Sequence, residues 1–534
     1  MDRNLDASQA EPRVPGTVVE DQSAAVAFLS DPSTHGGNPV EVVETHGAYV
    51  FLAGDRAVKM KRAVWFPYMD FSTLEKRRAA CEAELRLNRR SAPTIYRAVC
   101  PVVRDAAGAL ALGGRGDVVD WTVLMHRFDQ DTLFDRLAQR DGLDVPLMEA
   151  LADAIAAFHQ EAEKRPAVDF AAAMRSIVEG NAASLRNWIG KPFDRAQVDR
   201  IDARCEALLQ ACGPLLAQRG PAGFVRLCHG DLHLRNICLV DSRPTLFDCI
   251  EFNDRLAVID PMYDLAFLLM DLEHRGLRRL ANVVINRYLA RTGDYRGLGA
   301  LQLYLCVRAV IRAHVGAATA AAHADTAQAA KDRTEAQSYL DLAMRLAEAP
   351  SPCLVAVGGL SGSGKTTLAH ALAPGIGAAP GAIVIRSDVL RKRLFGADLF
   401  DHLPQAAYTR AQSQRVYGEI EALAAGVLAA GCCVIADAVF RNEDERAAIG
   451  GVAASAGVPF AGLWLEVTAD VQEDRLTGRQ RDVSDATVEV GRAQRRDAAH
   501  VTDWPNLDAD AGLARLRQAA AKTLARAGIS VRDG

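Results

Sequence analysis

The sequence has no run of about 18 consecutive apolar residues, the length that a membrane-spanning helix requires. Its polar N-terminus also lacks the apolar stretch of a signal peptide. The 11 cysteines form no CxxC pair and have no spacing suited to zinc. We therefore predict a cytoplasmic protein with reduced thiols and no membrane contact.

The chain also has only a small net charge and few aromatic side chains. The 62 Lys and Arg residues face 67 Asp and Glu residues, a formal net charge of −5, and aromatic residues make up 6% of the chain. A protein that coats nucleic acid needs a positive field, and single-strand binding needs aromatic rings on which bases stack. Nucleic acid is therefore disfavoured as a partner.

The length of 534 residues exceeds that of an ordinary single domain. Residues 1–25 are mostly polar, and we predict a flexible tail there. The stretch AEAPSPC (347–353) contains two prolines and precedes a new apolar strand. We therefore predict a linker at 347–352 between an N-terminal domain, residues 26–346, and a C-terminal domain, residues 353–534.

In the C-terminal domain, apolar strand patterns alternate with helical ones, which predicts an α/β fold with a parallel sheet. The first strand leads into GLSGSGKT (359–366), which matches the phosphate-binding pattern G-x-x-x-x-G-K-[ST]. Lys365 would reach the β- and γ-phosphates and the Thr366 hydroxyl would hold Mg²⁺, while a glycine-rich turn without a ligand is the alternative. The predicted nucleotide-binding residues are Gly359, Leu360, Ser361, Gly362, Ser363, Gly364, Lys365, Thr366 and Thr367.

The segment from about 353 to 525 resembles the small P-loop kinases, the group that contains gluconate kinase, polynucleotide kinase and chloramphenicol phosphotransferase. The resemblance implies that Asp388, in IVIRSDVLRKRL, positions and deprotonates the acceptor hydroxyl; the alternative is a helix N-cap. It also implies that Asp437, at the end of the strand CCVIADA, lies near Mg²⁺ or its waters, where a capping Asp is the alternative.

The segment EDRLTGRQRDVSDAT resembles the arginine-bearing lid of the same kinases. The resemblance implies that Arg475, Arg479 or Arg481 stabilises charge on the transferred phosphoryl group. A solvated basic helix face is the alternative. The following SDA (484–486) also matches the resemblance, but the sequence offers no physical reason for it.

The N-terminal domain shows strands and one helix, followed by mostly helical patterns. Within it, HGDLHLRN (229–236) places Asp231 five residues before Asn236, and Asp248 follows twelve residues later in TLFDCIEF. This spacing suits a loop Asp that accepts a hydroxyl proton while an Asn and a second Asp close around Mg²⁺. A similar spacing occurs in the catalytic loop and DFG segment of protein kinases.

This pattern resembles the aminoglycoside phosphotransferase family, a small-molecule branch of the kinase-like fold, over about residues 40–330. The resemblance implies an α+β, protein-kinase-like domain. In it, Asp231 would be the catalytic base, and Asn236 and Asp248 would be metal ligands. The residues to which it gives a structural role are His229, Asp260 and Asp264.

Lys59 and Lys61, in RAVKMKRAV, lie on one strand face because side chains alternate along a strand. Lys59 fits the VAIK-like register and would bind the α- and β-phosphates; an exposed strand edge is the alternative. Ser72 and Glu75 predict a capping box at the start of the helix that follows. From that helix, Glu84 is the preferred partner of Lys59. The alternatives are Glu82 and Glu75.

The order of the two domains resembles a bacterial family described as bifunctional, aminoglycoside phosphotransferase plus ATP-binding protein. It implies two ATP- and Mg²⁺-dependent kinase sites that act on hydroxyl groups of small molecules. Protein acceptors are disfavoured because no peptide-binding segment with an APE ending follows Asp248. A nucleotide-binding regulatory or scaffold protein with one inactive head is an alternative, since the first lobe has no GxGxxG. A nucleic-acid end kinase is a further alternative.

Overall fold

The computed structural model describes residues 17–66, 68–323, 326–478, 483–496, 501 and 503–532. These residues group into two compact units. The first unit consists of the chain up to Leu143, Glu161–Pro166 and Gly223–Asp264. The second unit consists of Asp144–Gln160, Ala167–Ala222 and the chain from Leu265 onward.

Up to residue 346, the structure contains short strands followed by long helices. The strands are β1 (Thr17–Val18), β2 (Val40–Glu44), β3 (Ala48–Ala53), β4 (Arg56–Lys61), β5 (Val64–Phe66), β6 (Met69–Asp70), β7 (Tyr96–Arg104), β8 (Leu110–Leu112), β9 (Asp117–His126), β10 (Arg226–Leu227), β11 (Ile237–Val240), β12 (Arg243–Leu246) and β13 (Val258–Ile259). The helices are α1 (Ser23–Ser30), α2 (Leu74–Asn88), α3 (Phe134–Gln139), α4 (Val145–Glu161), α5 (Phe170–Arg186), α6 (Arg195–Arg219), α7 (Asp254–Ala257), α8 (Pro261–His274), α9 (Arg278–Thr292), α10 (Leu298–Ala322) and α11 (Ala327–Leu346).

After residue 346, strands and helices alternate. The strands are β14 (Leu354–Gly359), β15 (Ile383–Arg386), β16 (Val434–Asp437), β17 (Phe460–Glu466) and β18 (Asn506–Asp508). The helices are α12 (Lys365–Leu372), α13 (Ser387–Leu394), α14 (Arg410–Ala429), α15 (Glu443–Ala456), α16 (Ala469–Thr477), α17 (Val488–Arg496) and α18 (Leu513–Arg526).

The main sheet of the first unit is antiparallel, with strand order β2-β3-β4-β9-β7-β8. Strand β4 carries two lysines, and the alternation of side chains along the strand determines where they lie. Val58 and Met60 are buried in the hydrophobic core on one face, together with Phe51. Lys59 and Lys61 alternate with them and therefore lie on the opposite face, which α2 also approaches through its contacts with β7 and β9.

The N-terminal cap of α2 corrects the sequence prediction at Ser72. The cap is Thr73, whose hydroxyl oxygen accepts the backbone N–H of Lys76. The Ser72 hydroxyl donates instead to the carboxylate of Asp70, 2.6 Å away. The Ser72 hydroxyl is therefore bonded to the neighbouring Asp70 and does not cap the helix as predicted. The N-cap is the next residue, Thr73.

The predicted tail, residues 1–25, is only partly described, since residues 1–16 lie outside the described ranges. Thr17–Val18 pairs antiparallel with β5. Glu20 forms an ion pair of 2.8 Å with Arg77, and α1 begins at Ser23. Regular structure therefore begins within the segment that the sequence assigned to the tail.

The sheet after residue 346 is parallel in all its described pairings, with strand order β15-β16-β14-β17-β18. This confirms the predicted α/β architecture with crossover helices. Its core is built from side chains of the strands, such as Val355, Ile435 and Leu463, and from Leu368 and Leu372 of α12. Because β14 is central, the loop that follows it emerges in the middle of the carboxyl edge of the sheet.

Strand β15 is an edge strand, and α9 supplies partners for the backbone of this strand and of the segment just before it. The amide oxygen of Asn286 accepts the N–H of Val384, at 2.7 Å. The amide nitrogen of Asn282 donates to the carbonyl oxygens of Pro380 and Ala382, at 3.1 and 3.0 Å. Both asparagines are buried, so these bonds satisfy polar groups that have little access to water.

Helix α10 lies in the interior of the second unit. The segment Tyr295–Ala322 is long and apolar enough to cross a membrane, but 67% of its most apolar window is buried within the protein. The helix packs against α6 and α11. Its apolar character is therefore that of a core helix.

Replacing Asn286 with Ala should loosen the edge of the sheet. The variant leaves the N–H of Val384 without its acceptor, which costs about 1–3 kcal/mol for a buried group. We expect amide hydrogen exchange at residues 383–386 to accelerate about tenfold or more, measured by mass spectrometry. Gln518→Ala, which removes an amide from the exposed face of α18, is the control. Unchanged protection at β15 in Asn286→Ala would show that the asparagine does not hold this edge.

Candidate active sites

The first site is centred on a buried cluster of charges in the first unit. The Nζ of Lys59 lies 2.8 Å from Glu84 Oε1 and 2.6 Å from Asp248 Oδ1. Lys61 Nζ lies 2.6 Å from the other oxygen of Glu84 and also binds Glu251. The pairing of Lys59 with Glu84, expected from the sequence, is thus formed, and Glu84 is shared by both lysines.

The electrostatics of this cluster follow from burial and pairing. Burial alone would lower the pKa of Lys59, but the carboxylates of Asp248 and Glu84 raise it well above its ordinary value. Burial alone would raise the pKa of Glu84, but Lys59 and Lys61 hold it below its ordinary value. In Glu251 burial prevails, and its pKa is raised. Two ammonium groups thus face three carboxyl groups.

The loop that carries Asp231 is held by a buried carboxylate. The two oxygens of Asp264 accept the backbone N–H groups of His229 and Gly230, each at 2.9 Å. The ring of His229 bonds through Nε2 to the carbonyl oxygen of Phe247, 2.9 Å away. Asn236 donates through Nδ2 to the backbone oxygen and to Oδ2 of Asp231, both at 2.9 Å. These bonds fix the side chains of Asp231 and Asn236 next to each other.

The backbone of Asp248 has a left-handed conformation, with φ of 63°. Asp tolerates this region better than most residues, and the surrounding contacts hold it there. Its N–H donates to the hydroxyl of Tyr96, and the N–H of Cys249 donates to the side-chain oxygen of Asn88. The carboxylate is thereby directed toward Lys59.

Of the three acids of α2 that the sequence offers, the structure brings Glu84 to Lys59, and it adds Glu251, which the sequence did not indicate. Glu82 is exposed and pairs with Arg78, and Glu75 is exposed as well, whereas Glu84 is fully buried. Glu251 lies three residues after Asp248, and its partner Lys61 is far away along the chain. The apolar neighbours of Glu251 in DCIEF were the available signal, because a carboxylate between buried residues needs a cation.

The second site is built on the loop between β14 and α12. Gly364 has φ of 93° and directly precedes α12, so that the loop turns into the helix N-terminus. Gly359 has φ of 140°, and a Cβ there would lie 2.7 Å from the hydroxyl of Ser363. Both positions therefore require glycine. Lys365 Nζ donates to the carbonyl oxygen of Leu360, 2.9 Å away, and lies folded over the loop.

Thr366 and Asp437 meet at the carboxyl edge of the sheet. The hydroxyl of Thr366 donates to Oδ2 of Asp437, 2.5 Å away. Arg386 Nε lies 3.6 Å from the same carboxylate oxygen. Asp437 is buried at the end of β16, next to β14, and strand pairing brings it opposite Val357. The hydroxyl and carboxylate oxygens are of the type that Mg²⁺ prefers.

Asp388 lines the same cavity as the phosphate-binding loop, and this nucleotide cavity has a volume of about 490 Å³. The helix α13 begins at Ser387, and Asp388 lies in its first turn. The N-cap position belongs to Arg386, and no side chain caps the helix there. The alternative role of Asp388 as an N-cap is therefore not the observed one, and its carboxylate lies among groups that surround the cavity.

Arg475 lies beside the loop on α16. Its guanidinium donates to the carbonyl oxygens of Ser363, at 3.2 Å, and Ala509, at 2.7 Å. It also lines the nucleotide cavity, so a solvated helix face does not describe its surroundings. The other two arginines of the predicted lid, Arg479 and Arg481, lie outside the described residues.

Two glutamines that the sequence did not indicate hold Ser361. The backbone N–H of Ser361 donates to Oε1 of Gln494, at 2.8 Å. Its carbonyl oxygen accepts from Nε2 of Gln472, at 2.5 Å. Gln472 is buried on α16 and Gln494 belongs to α17. The loop is therefore bonded to two helices that follow it by more than 100 residues, and no local pattern could have revealed these partners.

The structure gives a physical reason for the SDA segment. Asp485 accepts from the buried ammonium of Lys392, at 3.1 Å, and from the hydroxyl of Tyr408, at 2.6 Å. It also accepts the backbone N–H of Leu403. Lys392 belongs to α13, the helix whose first turn carries Asp388. Asp485 thus bonds both to α13, through Lys392, and to the segment that follows it, through Leu403 and Tyr408.

Replacing Asp485 with Ala should destabilise the second unit. The change leaves the Lys392 ammonium, which is only 1% exposed, without its carboxylate partner. Breaking a buried ion pair from one side costs about 3 kcal/mol. We expect a lower midpoint of urea unfolding, followed by tryptophan fluorescence, than in the control Asp474→Ala on the exposed face of α16. Equal midpoints for the two variants would contradict a fastening role for Asp485.

Models of known protein families match both parts of the chain. The model of the phosphotransferase enzyme family matches residues 71–301. The model of an AAA domain matches residues 354–523. Fold and sites together define a chain with a kinase-like phosphotransferase domain followed by a P-loop kinase domain.

Curated relatives share this sequence over most of its length. An uncharacterized protein of Mycobacterium tuberculosis (strain H37Rv) is 32% identical over 475 residues, which cover 87% of this chain and 91% of the relative. An uncharacterized protein of Mycobacterium bovis shows the same values. The chain therefore belongs to the family of these mycobacterial proteins, which confirms the two-domain family resemblance drawn from the sequence.

Solved structures are similar to one or the other part of the chain. A choline/ethanolamine kinase family protein from Mesorhizobium loti is 15% identical, covers 61% of this chain and 95% of its own, and has a TM-score of 0.39. A sugar kinase from Janibacter sp. is 20% identical over 33% of this chain and 95% of its own, with a TM-score of 0.27. The Mycobacterium tuberculosis APS kinase CysC, solved with AMPPNP and APS, is 21% identical over 33% of this chain and 99% of its own, with a TM-score of 0.24.

Proposed function

We propose that the protein is a two-headed ATP-dependent kinase, in which each site transfers the γ-phosphoryl group to a hydroxyl group of a small molecule. The observation that supports the proposal is that each site contains a lysine, an aspartate to which we assign the role of base, and side-chain oxygens of the type that Mg²⁺ prefers. In the first unit these are Lys59, Asp231 and Asp248 with Asn236. In the second unit the corresponding groups line one cavity.

In the first site, we assign Asp231 as the group that accepts the proton of the acceptor hydroxyl. Its position is fixed by Asn236, and the loop around it by Asp264. Lys59, held by Glu84, would bind the α- and β-phosphates of the nucleotide. Phosphoryl transfer depends mainly on positioning and charge stabilisation, so a rigid arrangement of these groups is what the reaction requires.

In the second site, we assign Asp388 as the group that positions and deprotonates the acceptor. Lys365 would leave the carbonyl oxygen of Leu360 and bind the β- and γ-phosphates, while loop N–H groups and the α12 N-terminus bind phosphate oxygens. Arg475, already bonded to the loop at Ser363, would stabilise the charge of the transferred group.

The residues present fit a magnesium ion in both sites. In the first, Asp248 and the side-chain oxygen of Asn236 would hold it, since both offer the oxygen atoms that Mg²⁺ prefers. In the second, Thr366 and Asp437 would hold it directly or through water. When bound, Mg²⁺ neutralises charge on the phosphates of the nucleotide.

Acceptor-dependent ADP release tests whether the two sites act as kinases. A panel of sugars, metabolites and aminoglycosides is screened with wild type, Lys365→Ala and Asp231→Asn. We expect that an acceptor of one site loses its turnover about 100-fold or more with the variant of that site and keeps it with the other. The matched controls Lys522→Ala and Asp254→Asn change exposed residues outside both sites.

A panel without any stimulated release, combined with ATP binding that is lost in Lys365→Ala, would contradict the kinase proposal for the second site. That result would favour a nucleotide-binding regulatory protein. Release stimulated by the 5′ ends of oligonucleotides alone would favour a nucleic-acid end kinase instead.

Nucleotide binding at the first site should depend on Glu84. In a Lys365→Ala background, which removes the main cation of the second site, Glu84→Gln removes one of the two carboxylates that hold Lys59 and leaves Asp248 as the other, so the ammonium is no longer positioned from α2. We expect the affinity for ATP, measured by calorimetry, to fall about tenfold or more, a loss of ~1.4 kcal/mol. Glu82→Gln, on the exposed face of the same helix, is the control. Equal affinities in the two variants would contradict the assignment of Lys59 and Glu84.

A further inference from the structure

A second cavity, which we call the side cavity, lies in the second unit beside α12. Its volume is about 660 Å³, within the range of pockets that hold small molecules. Its walls come from α4, α9, α12 and α18 and from strand β15. The wall from α9 is one regular face, since Arg279, Val283 and Arg287 recur at helical spacing.

The side cavity adjoins the nucleotide cavity but differs from it. The two share Thr367 and Leu513. Among the described lining residues, Lys365, Asp388 and Asp437 belong to the nucleotide cavity only. A molecule in the side cavity would therefore lie along α12, beyond the phosphate-binding loop, and leave the predicted catalytic groups accessible.

Arginine gives the side cavity its charge. Arg287 is held by two bonds to Asp153, at 2.7 and 2.8 Å, and Arg386 lies near Asp437, so these two are fixed with part of their charge balanced. Arg279 and Arg517 add two further guanidinium groups to the lining. Glu149 is the one carboxylate among the described lining residues. The lining therefore has more positive than negative groups.

The rest of the lining is neutral and mostly apolar. Val283, Val384 and Leu399 are representative of it. His370 also lines the cavity, and burial together with the nearby Arg386 lowers its pKa to about 4. At neutral pH this imidazole is therefore uncharged and offers a hydrogen bond rather than a second charge.

We propose that the side cavity binds a small organic anion, in which one phosphate or carboxylate group contacts the arginines and an apolar body fills the remaining space. Guanidinium groups suit such anions because their planar N–H donors match two oxygens at once. A free inorganic anion would leave the apolar lining in contact with water. A neutral apolar molecule would make no use of the positive charge of the lining.

Calorimetry with phenyl phosphate as the probe tests this proposal. The full-length protein is first saturated with ADP and Mg²⁺, so that the nucleotide sites are filled. We expect phenyl phosphate to bind with a Kd of about 1 mM or tighter, and at least about tenfold more tightly than inorganic phosphate or benzyl alcohol. Inorganic phosphate carries the charge without the apolar body, and benzyl alcohol carries the apolar body without the charge.

Substitutions in the lining of the side cavity test whether phenyl phosphate binds there. Arg279→Gln and Arg517→Gln should each weaken binding of phenyl phosphate about tenfold. Arg515→Gln, an exposed position on the same helix as Arg517, should leave it unchanged. Val283→Trp should abolish it by filling the cavity, and unchanged ADP affinity shows that each variant is folded. Absence of binding by wild type, or equal binding by all variants, would overturn the proposal.

Discussion

The edge strand of an open sheet exposes backbone N–H and C=O groups, and the need to bond those of β15 organises the second unit. From α9, Asn286 bonds the N–H of Val384 in this strand, and Asn282 bonds the carbonyl oxygen of Ala382, the residue before it. On the same helix, Arg278 donates to the carbonyl oxygens of Pro374 and Gly377, and Arg393 of α13 donates back to α9 at Leu289. These reciprocal bonds fix α9 against the parallel sheet, and one face of the helix then becomes a wall of the side cavity.

A different constraint governs the first unit, where strand alternation brings two lysines to the same buried face. Neither ammonium group could remain there alone, because an unpaired buried charge is far more costly than a paired one. Glu84 is shared between them, and Asp248 and Glu251 complete the set. The arrangement holds Lys59 and Asp248 at a fixed separation. A rigid arrangement of this kind is what the proposed reaction, which depends on positioning, would require.

Local patterns carried most of what could be predicted from the sequence. The phosphate-binding loop and the parallel sheet depend on motifs and periodicity within short segments, and both are found. Glu251 and Gln494 were missed because their partners are more than 100 residues away, and only the fold brings them together. Strand β18 could not be predicted, because its three residues, two of them polar, carry no periodic signal. The predicted N-cap at Ser72 was wrong because the Ser72 hydroxyl bonds to Asp70 instead.

The bonds between α9 and β15 also affect how the chain divides into independent modules. The phosphotransferase match, residues 71–301, includes α9, whereas the AAA match begins at residue 354. A fragment cut at the predicted linker, 347–352, would retain β15 but lose both asparagines. Its uncovered edge would be a template for pairing with a second copy, as bare sheet edges are in general. The two parts of this chain thus resemble a fused pair in which a helix of one part covers an edge strand of the other.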